Sequence, residues 1–290
     1  INVVIGNIQD QYSNKAVEDG FQLLSIEEAS KKSTTIFLLI PDQAHSHIFD
    51  KSIRSGLQKG DLLVVAHGYS LRFRKIVPPS DIDVCMLAPR MPGYPIRQKY
   101  QEGGGVPAFV DIIQDYTGFA QERILGFSKA LGFTKSAVIH VPYDQETELD
   151  LFIEQFLLPT IIHSMRLSFD FLSEEGYSEI ASLMELYASG EIGELLLKSS
   201  EEGLYQVWKD NASPTCQFGI FDNINFVAPK DETNGRIKKI LKQIRDGTFD
   251  KSLEIEAEKG YANLKNYDLE NSSSNFVKTQ KKINRIIRKK

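Results

Sequence analysis

The spacing of apolar residues changes character near the middle of the chain. Through residue 141, short apolar runs alternate with polar, helix-like segments. Residues 1–6, Ile-Asn-Val-Val-Ile-Gly, form a run of the kind buried in a parallel sheet, ending on glycine. Residues 7–15 are polar and loop-like. A short strand is predicted within 18–25, and Ser25 before Ile-Glu-Glu-Ala has the arrangement of a helix N-cap. Further strands are predicted at 35–40, 60–66, 83–88, 106–113 and 136–141, with a helix over about 117–131. Such alternation predicts an α/β domain built on a doubly wound parallel sheet. Ligands of these sheets bind at the carboxyl ends of the strands. Pro41-Asp42, His67-Gly68 and Pro89-Arg90 fall there.

Beyond residue 148 the rhythm is helical. Leu149, Phe152, Ile153, Phe156, Leu157, Ile161, Ile162, Met165 and Phe169 follow helical spacing, and Pro159 should kink this helix or start a new one. Residues 177–197 hold one or two helices, interrupted at Ser189-Gly190. Residues 233–245 form an amphipathic helix stopped by Asp246-Gly247. A basic tail, 278–290, reads as a solvated terminal helix.

The junction, Glu146-Thr-Glu-Leu-Asp150-Leu-Phe-Ile-Glu154-Gln155, carries the densest run of carboxylates in the apolar part of the chain. On a helix Asp150 and Glu154 share a face, surrounded by apolar residues. Two like charges in that setting require something positive between them, and oxygen ligands suit a hard cation, Mg²⁺. The bland alternative is a solvated acidic face.

Composition narrows the class. The net charge of -5 argues against nucleic acid as the main partner. Cys85 and Cys216 are the only cysteines, so a reducing cytoplasm fits best. No apolar run reaches membrane-spanning length, and no basic-then-apolar signal segment opens the chain. The chain begins at Ile1, already inside a strand-like run, so residues upstream are expected. No GxGxxG occupies a strand-to-helix turn, and Gly103-Gly104-Gly105 precedes a strand, the wrong place for a phosphate loop. From the residues alone, dinucleotide binding is a guess from fold class.

Several separate motifs agree in order and distance: Val65-Ala-His-Gly68, Ile76-Val-Pro-Pro-Ser-Asp81, Ala88-Pro-Arg-Met-Pro-Gly93, Gln114-Asp-Tyr-Thr-Gly118, the 146–155 stretch, Ser213-Pro-Thr-Cys-Gln-Phe-Gly219 and Arg245-Asp-Gly-Thr-Phe249. Together they resemble the short form of ketol-acid reductoisomerase, up to about residue 260. The resemblance implies a Rossmann-like nucleotide-binding domain, 1–141, lacking its first strand and glycine-rich turn. A knotted all-helical domain, 142–290, follows and carries the metal and substrate sites and the dimer contacts. It implies two Mg²⁺, NADPH or NADH, and a small 2-keto or 2-hydroxy acid substrate. The active site is shared between subunits of a homodimer or larger assembly, with no nucleic acid and no membrane involved. Asp150 matches the carboxylate bridging both metals and Glu154 a second ligand. Glu185 matches a ligand given by the partner subunit, and Glu191 stands nearby. Ser213 matches the serine that holds the substrate carboxylate, and His67 a histidine beside nicotinamide and substrate. The cofactor is expected along Gly6, Ser13, Lys15, Pro41, Asp42, His67 and Gly93.

Each role has a plainer counterpart: Glu185 as an exposed helix residue, His67 as a core histidine, Ser213 as a turn former. The chain also departs from the family. Arg90 stands where the family has lysine; it keeps the charge but cannot act as a proton donor. Ser189 replaces the second glutamate of the partner helix, and Glu191 substitutes only if Ser189-Gly190 distorts that helix. The loop 7–15 has no arginine and includes Asp10, which repels a 2′-phosphate, while Ser13 and Lys15 are able to bind one. NADH and NADPH both remain open. The competing functions are isomeroreduction of a 2-aceto-2-hydroxy acid in branched-chain amino acid biosynthesis, reduction of a related acid by a divergent paralogue, and non-catalytic binding on the same scaffold.

Overall fold

The computed structural model describes residues 2–287; Ile1 and the last three residues of the basic tail lie outside the described residues. The chain divides into two compact units, Ile1–Asp150 and Leu151–Lys290.

The first unit runs β1 (Val4–Gly6), α1 (Gln11–Glu18), β2 (Gln22–Leu24), α2 (Ile26–Lys32), β3 (Thr35–Leu38), α3 (Asp42–Ile48), β4 (Leu62–Val65), α4 (Tyr69–Arg72), β5 (Asp83–Pro89), α5 (Gly93–Gln101), β6 (Ala108–Gln114), α6 (Ala120–Ala130), β7 (Val138–His140) and α7 (Tyr143–Phe152), which crosses the boundary. A π-helical turn, Phe49–Ile53, extends α3. Strands β3 to β7 form one sheet in sequence order, and β1 and β2 pair as a separate parallel ribbon.

Two expectations need correction. The main sheet is mixed, because β6 runs antiparallel to β5, with Pro89 opposite Ala108. The chain leaves β5 through α5, turns at Gly103 (φ +82°), and re-enters the sheet at the end it left. The glycine run thus serves a reversal. The second correction falls within residues 7–15, where α1 starts at Gln11 and leaves only 7–10 as the expected loop. Asp10 and Ser13 form a reciprocal capping box, Oδ1 of Asp10 accepting the Ser13 N–H at 2.8 Å and Ser13 Oγ accepting the Asp10 N–H at 2.9 Å. Two polar residues therefore start a helix that apolar periodicity does not announce. The Ser25 cap on α2 forms as expected, with Glu28 closing the box.

The core lies on both faces of the sheet. Leu63, Val65, Val84 and Met86 pack with Phe49, Ile53 and Ile82 on one face. Leu62, Val64, Cys85, Leu87 and Val110 pack with Ala120, Ile124 and Phe133 on the other. Burial on both faces explains why these strands read as continuous apolar runs. At the amino end of β5, buried Asp83 accepts N–H bonds from Tyr116 and Thr117, a hydroxyl bond from Thr117, and an Arg123 guanidinium bond of 2.8 Å. Arg123 also donates to the Thr34 and Gly60 carbonyls, tying the start of three strands together.

The second unit is helical. A π-helical turn, Ile153–Leu157, leads into α8 (Leu158–Glu174), whose first turn holds Pro159, where the missing N–H is harmless. It continues with α9 (Glu179–Leu183), a π-helical turn at Met184–Ala188, α10 (Glu191–Glu202), α11 (Leu204–Asn211), α12 (Pro214–Val227), α13 (Lys230–Arg245), α14 (Thr248–Glu258), α15 (Ala262–Ser272) and α16 (Asn275–Ile287). Phe169, Leu183 and Ile283 form a buried cluster, with Phe276 edge-on to Phe169 at 5.3 Å. The tail helix α16 is therefore packed along one face: Thr279 and Ile283 are buried, and Thr279 Oγ1 donates to Glu179 at 2.8 Å. Among the described residues, no helix is long and apolar enough to cross a membrane.

Candidate active site

Within the first unit, the carboxyl ends of β4 and β5 point their following residues at α7. Beyond β4 come His67 and Gly68, and beyond β5 comes Arg90. From α7 comes Glu146, whose side chain is 0% exposed. Its Oε2 accepts His67 Nδ1 at 2.9 Å and the Gly68 N–H at 2.9 Å. Its Oε1 lies 3.1 Å from Arg90 Nη2. One turn later, Asp150 Oδ1 lies 3.4 Å from the same Nη2, and Oδ2 lies 3.9 Å from His67 Nδ1. The Arg90 guanidinium is 5.0 Å above the Phe109 ring, an added contribution to holding its plane. Two carboxylates thus face two basic side chains. Asp150 has Arg90 and His67 as its positive neighbours within this unit.

Local chemistry explains this arrangement. A buried carboxylate is tolerated only when its oxygens are matched, and three donors match Glu146. Gly68 is required because a Cβ there would collide with the Tyr143 carbonyl and the Thr147 hydroxyl of α7. Burial of the His67 ring opposes its protonation, but the Glu146 hydrogen bond and the charges of Glu146, Asp150 and Asp42 outweigh it and raise its pKa above the ordinary imidazole value. Donation through Nδ1 leaves Nε2 as the ring nitrogen uncommitted to Glu146. Glu146 was not among the site residues expected from sequence. Its signal was present: it sits four residues before Asp150, on the same helical face.

Residues 1–137 match the family model for the acetohydroxy acid isomeroreductase NADPH-binding domain, and residues 143–289 that for the ketol-acid reductoisomerase C-terminal domain. The chain belongs to the ketol-acid reductoisomerase family. It is 36% identical to the ketol-acid reductoisomerase (NADP(+)) of Methanocaldococcus jannaschii over 267 residues, 91% of this chain and 79% of that protein. Identity and coverage are the same for that of Methanosphaera stadtmanae. The solved structure of an NADH-preferring ketol-acid reductoisomerase from an uncultured archaeon superposes with a TM-score of 0.91 and 29% identity, covering 99% of this chain and 86% of that one.

Ketol-acid reductoisomerase family members take a nicotinamide cofactor, and the residues expected to meet it lie as follows. Gly6 ends β1 and lets α2 approach, since a Cβ there would sit 2.8 Å from Ala29 Cβ. Ser13 is wholly buried, and its hydroxyl is committed to the cap of α1, donating to the Asp10 carbonyl at 2.7 Å. Lys15 is exposed and pairs with Asp19 at 3.0 Å, while Arg97 donates to the same Asp19. Pro41 caps α3, Asp42 opens it, and Gly93 opens α5.

In the second unit the expected ligands stand exposed on separate elements. Glu154 lies in the π-helical turn Ile153–Leu157 and Glu185 in the turn Met184–Ala188. π-helical turns recur at functional sites because they re-aim side chains. Gly190 (φ +91°) then breaks the helix, so that Glu191 opens α10. Ser213 caps α12 by accepting the Cys216 N–H at 3.3 Å. Among the described residues, no group of three or more metal-ligating side chains comes together. The oxygen donors of Asp150, Glu154, Glu185 and Glu191 suit Mg²⁺ in kind.

Proposed function

We propose that the chain catalyses the nicotinamide-dependent isomeroreduction of a 2-aceto-2-hydroxy acid to a 2,3-dihydroxy acid, a step of branched-chain amino acid biosynthesis. The observation that carries this reading is the His67–Glu146–Arg90–Asp150 cluster at the carboxyl ends of β4 and β5, in a chain matched by the family along both halves. An alkyl group migrates to give a 2-keto acid. Reduced nicotinamide, when bound, would supply hydride to the carbonyl carbon, whose oxygen then needs a proton. His67, oriented by Glu146, presents Nε2 to that oxygen and holds the proton there. Arg90 contributes positive charge beside both carboxylates.

Asp150, Glu154 and a glutamate of a second chain, Glu185 or Glu191, would hold two Mg²⁺. Bound there, Mg²⁺ would supply Lewis acidity to two adjacent substrate oxygens. A homodimer is part of this reading. Exposed apolar residues of α12 (Phe218, Phe226 and Val227) support it as well.

For the nucleotide, the β1–α1 turn favours NADH. It presents Asp10, its Ser13 is buried, and Lys15 is already paired. A carboxylate there suits a ribose 2′-hydroxyl and repels a phosphate.

The test is Asp150→Asn in the full-length protein, assayed with 2-acetolactate and separately with 3-hydroxy-3-methyl-2-ketobutyrate. Loss of Mg²⁺-dependent turnover of both supports the reading. Unchanged Mg²⁺ affinity and rates would refute it. Wild-type turnover of only the second substrate would instead favour a reductase whose Arg90 no longer supports migration.

A further inference from the structure

We propose that His45 is a positioning residue for the nicotinamide nucleotide, joined to Ser70 in a buried clasp that sets the β3–α3 turn against the turn after β4. The inference rests on the reading above, since it takes the carboxyl ends of β3 and β4 as the nucleotide edge.

β3 and β4 are adjacent and parallel. The chain leaves β3 through Ile40, Pro41 and Asp42, and leaves β4 through His67, Gly68 and α4. Both segments are irregular and would be mobile without a side-chain tie. One imidazole ring joins them. His45 Nε2 lies 2.8 Å from the Ile40 carbonyl oxygen, and Nδ1 lies 2.6 Å from Ser70 Oγ. His45 is 3% exposed and Ser70 0%.

A carbonyl oxygen only accepts, so Nε2 carries a hydrogen toward Ile40. In the neutral ring Nδ1 is then the acceptor, and the Ser70 hydroxyl donates to it. The Asp42 carboxylate, 3.6 Å from Nδ1, lies beyond hydrogen-bonding distance. Ser70 is itself anchored, because its carbonyl accepts the N–H groups of Lys75 at 2.8 Å and Ile76 at 3.2 Å. The clasp therefore runs from Ile40 through the ring to a fixed point three residues after His67. It spaces Pro41 and Asp42 from His67 and Gly68.

A core histidine with both nitrogens satisfied has a plainer reading, that it only fills space and saturates its bonds. The two readings differ in what a variant loses. A filler lost by substitution lowers global stability and leaves ligand affinities alike. A clasp lost by substitution loosens one edge and raises the dissociation constant of the nucleotide alone.

The experiment measures NADH and NADPH binding by calorimetry, and steady-state kinetics, on the full-length protein and on His45→Leu, His45→Gln, Ser70→Ala and the double variant His45→Leu/Ser70→Ala. His45→Leu should raise nucleotide Kd and KM about tenfold, the scale of one buried hydrogen bond. The KM for the hydroxy acid and kcat at saturating nucleotide should stay within about twofold. Ser70→Ala should shift the same constants, and the double variant should be no worse than His45→Leu, as for two ends of one clasp. His45→Gln, which offers an amide N–H to Ile40 and an oxygen to Ser70, should recover most of the affinity. If His45→Leu does not fold, Ser70→Ala carries the test, since it removes one hydroxyl. Unchanged nucleotide Kd in a folded variant, or an equal rise in both KM values, would overturn the proposal. A wild type that binds neither nucleotide would overturn the functional reading beneath it.

Discussion

Carboxylates are held in opposite ways in the two units. In the first, Glu146 and Asp83 are fully buried and each is met by several donors from its own chain. In the second, Glu154, Glu185 and Glu191 stand exposed on separate helical turns. A buried charge without partners costs several kcal/mol, so folding the first unit also sets the geometry of the cluster around Glu146. An exposed carboxylate pays little of that desolvation cost, so folding the second unit constrains its glutamates less. On the proposed reading, the glutamates of the second unit act through a metal. This contrast says where substitutions should strike stability and where they should strike activity alone.

The largest effect is expected at Glu146. Glu146→Gln removes the charge facing Arg90 and turns an amide nitrogen toward one of its donors. Stability should fall by about 3 kcal/mol in denaturant titrations. The kcat should fall by about 10²-fold, because His67 loses the group that orients it. A folded variant with normal kcat would show that the cluster is structural only.

Asp83→Asn comes next, at about 2–3 kcal/mol, with turnover per folded molecule unchanged. Burial pushes the Asp83 carboxyl up, but the Thr117 bonds and the Arg123 guanidinium outweigh it and hold the folded pKa below the ordinary value. A group depressed in the folded state stabilises above its unfolded pKa and loses that contribution as pH falls through the folded one. Acid unfolding of the wild type should therefore steepen below about pH 4, and Asp83→Asn should lose part of that dependence. Unfolding curves across that range decide it; identical pH profiles would count against the network.

Gly68→Ala should cost about 1–3 kcal/mol, by forcing a methyl group against α7. It should also lower affinity for the nucleotide, since His67 is its neighbour. Full stability and affinity in thermal and calorimetric assays would mean that α7 yields easily.

How much of this was legible follows from the physics of each signal. The strands of the main sheet were readable because burial on both faces removes polar residues from them. The direction of β6 was not, since residues 90–107 fix it through α5 and a glycine turn rather than through periodicity. Helix α1 was hidden because Asp10 and Ser13 start it without an apolar stripe. The acidic run at 146–155 was visible, but the partner of its charge was not. Arg90 lies 56 residues before Glu146 in sequence, and only the turn after β5 brings it there. The roles expected of Glu185 and Ser213 came from resemblance to the family, not from any pattern in the residues around them.

The smallest effect on stability belongs to the glutamates of the second unit. Glu185→Gln changes an exposed side chain in a π-helical turn and should move stability by no more than about 0.5 kcal/mol. If Glu185 reaches a metal held by Asp150 of a second chain, the same change should lower Mg²⁺ affinity by at least about tenfold and abolish turnover. Glu191→Gln separates the two candidates. Glu191 opens α10 after the break at Gly190, six residues beyond Glu185, so both cannot play the family's first partner ligand. Loss of Mg²⁺ affinity in Glu185→Gln alone assigns the role to Glu185 and leaves Glu191 as a favourable charge at a helix N-terminus. Loss in both assigns Glu191 the place that Ser189 vacates. Loss in neither, with turnover intact, removes the second unit from metal binding. The contrast between the two units would then reduce to burial.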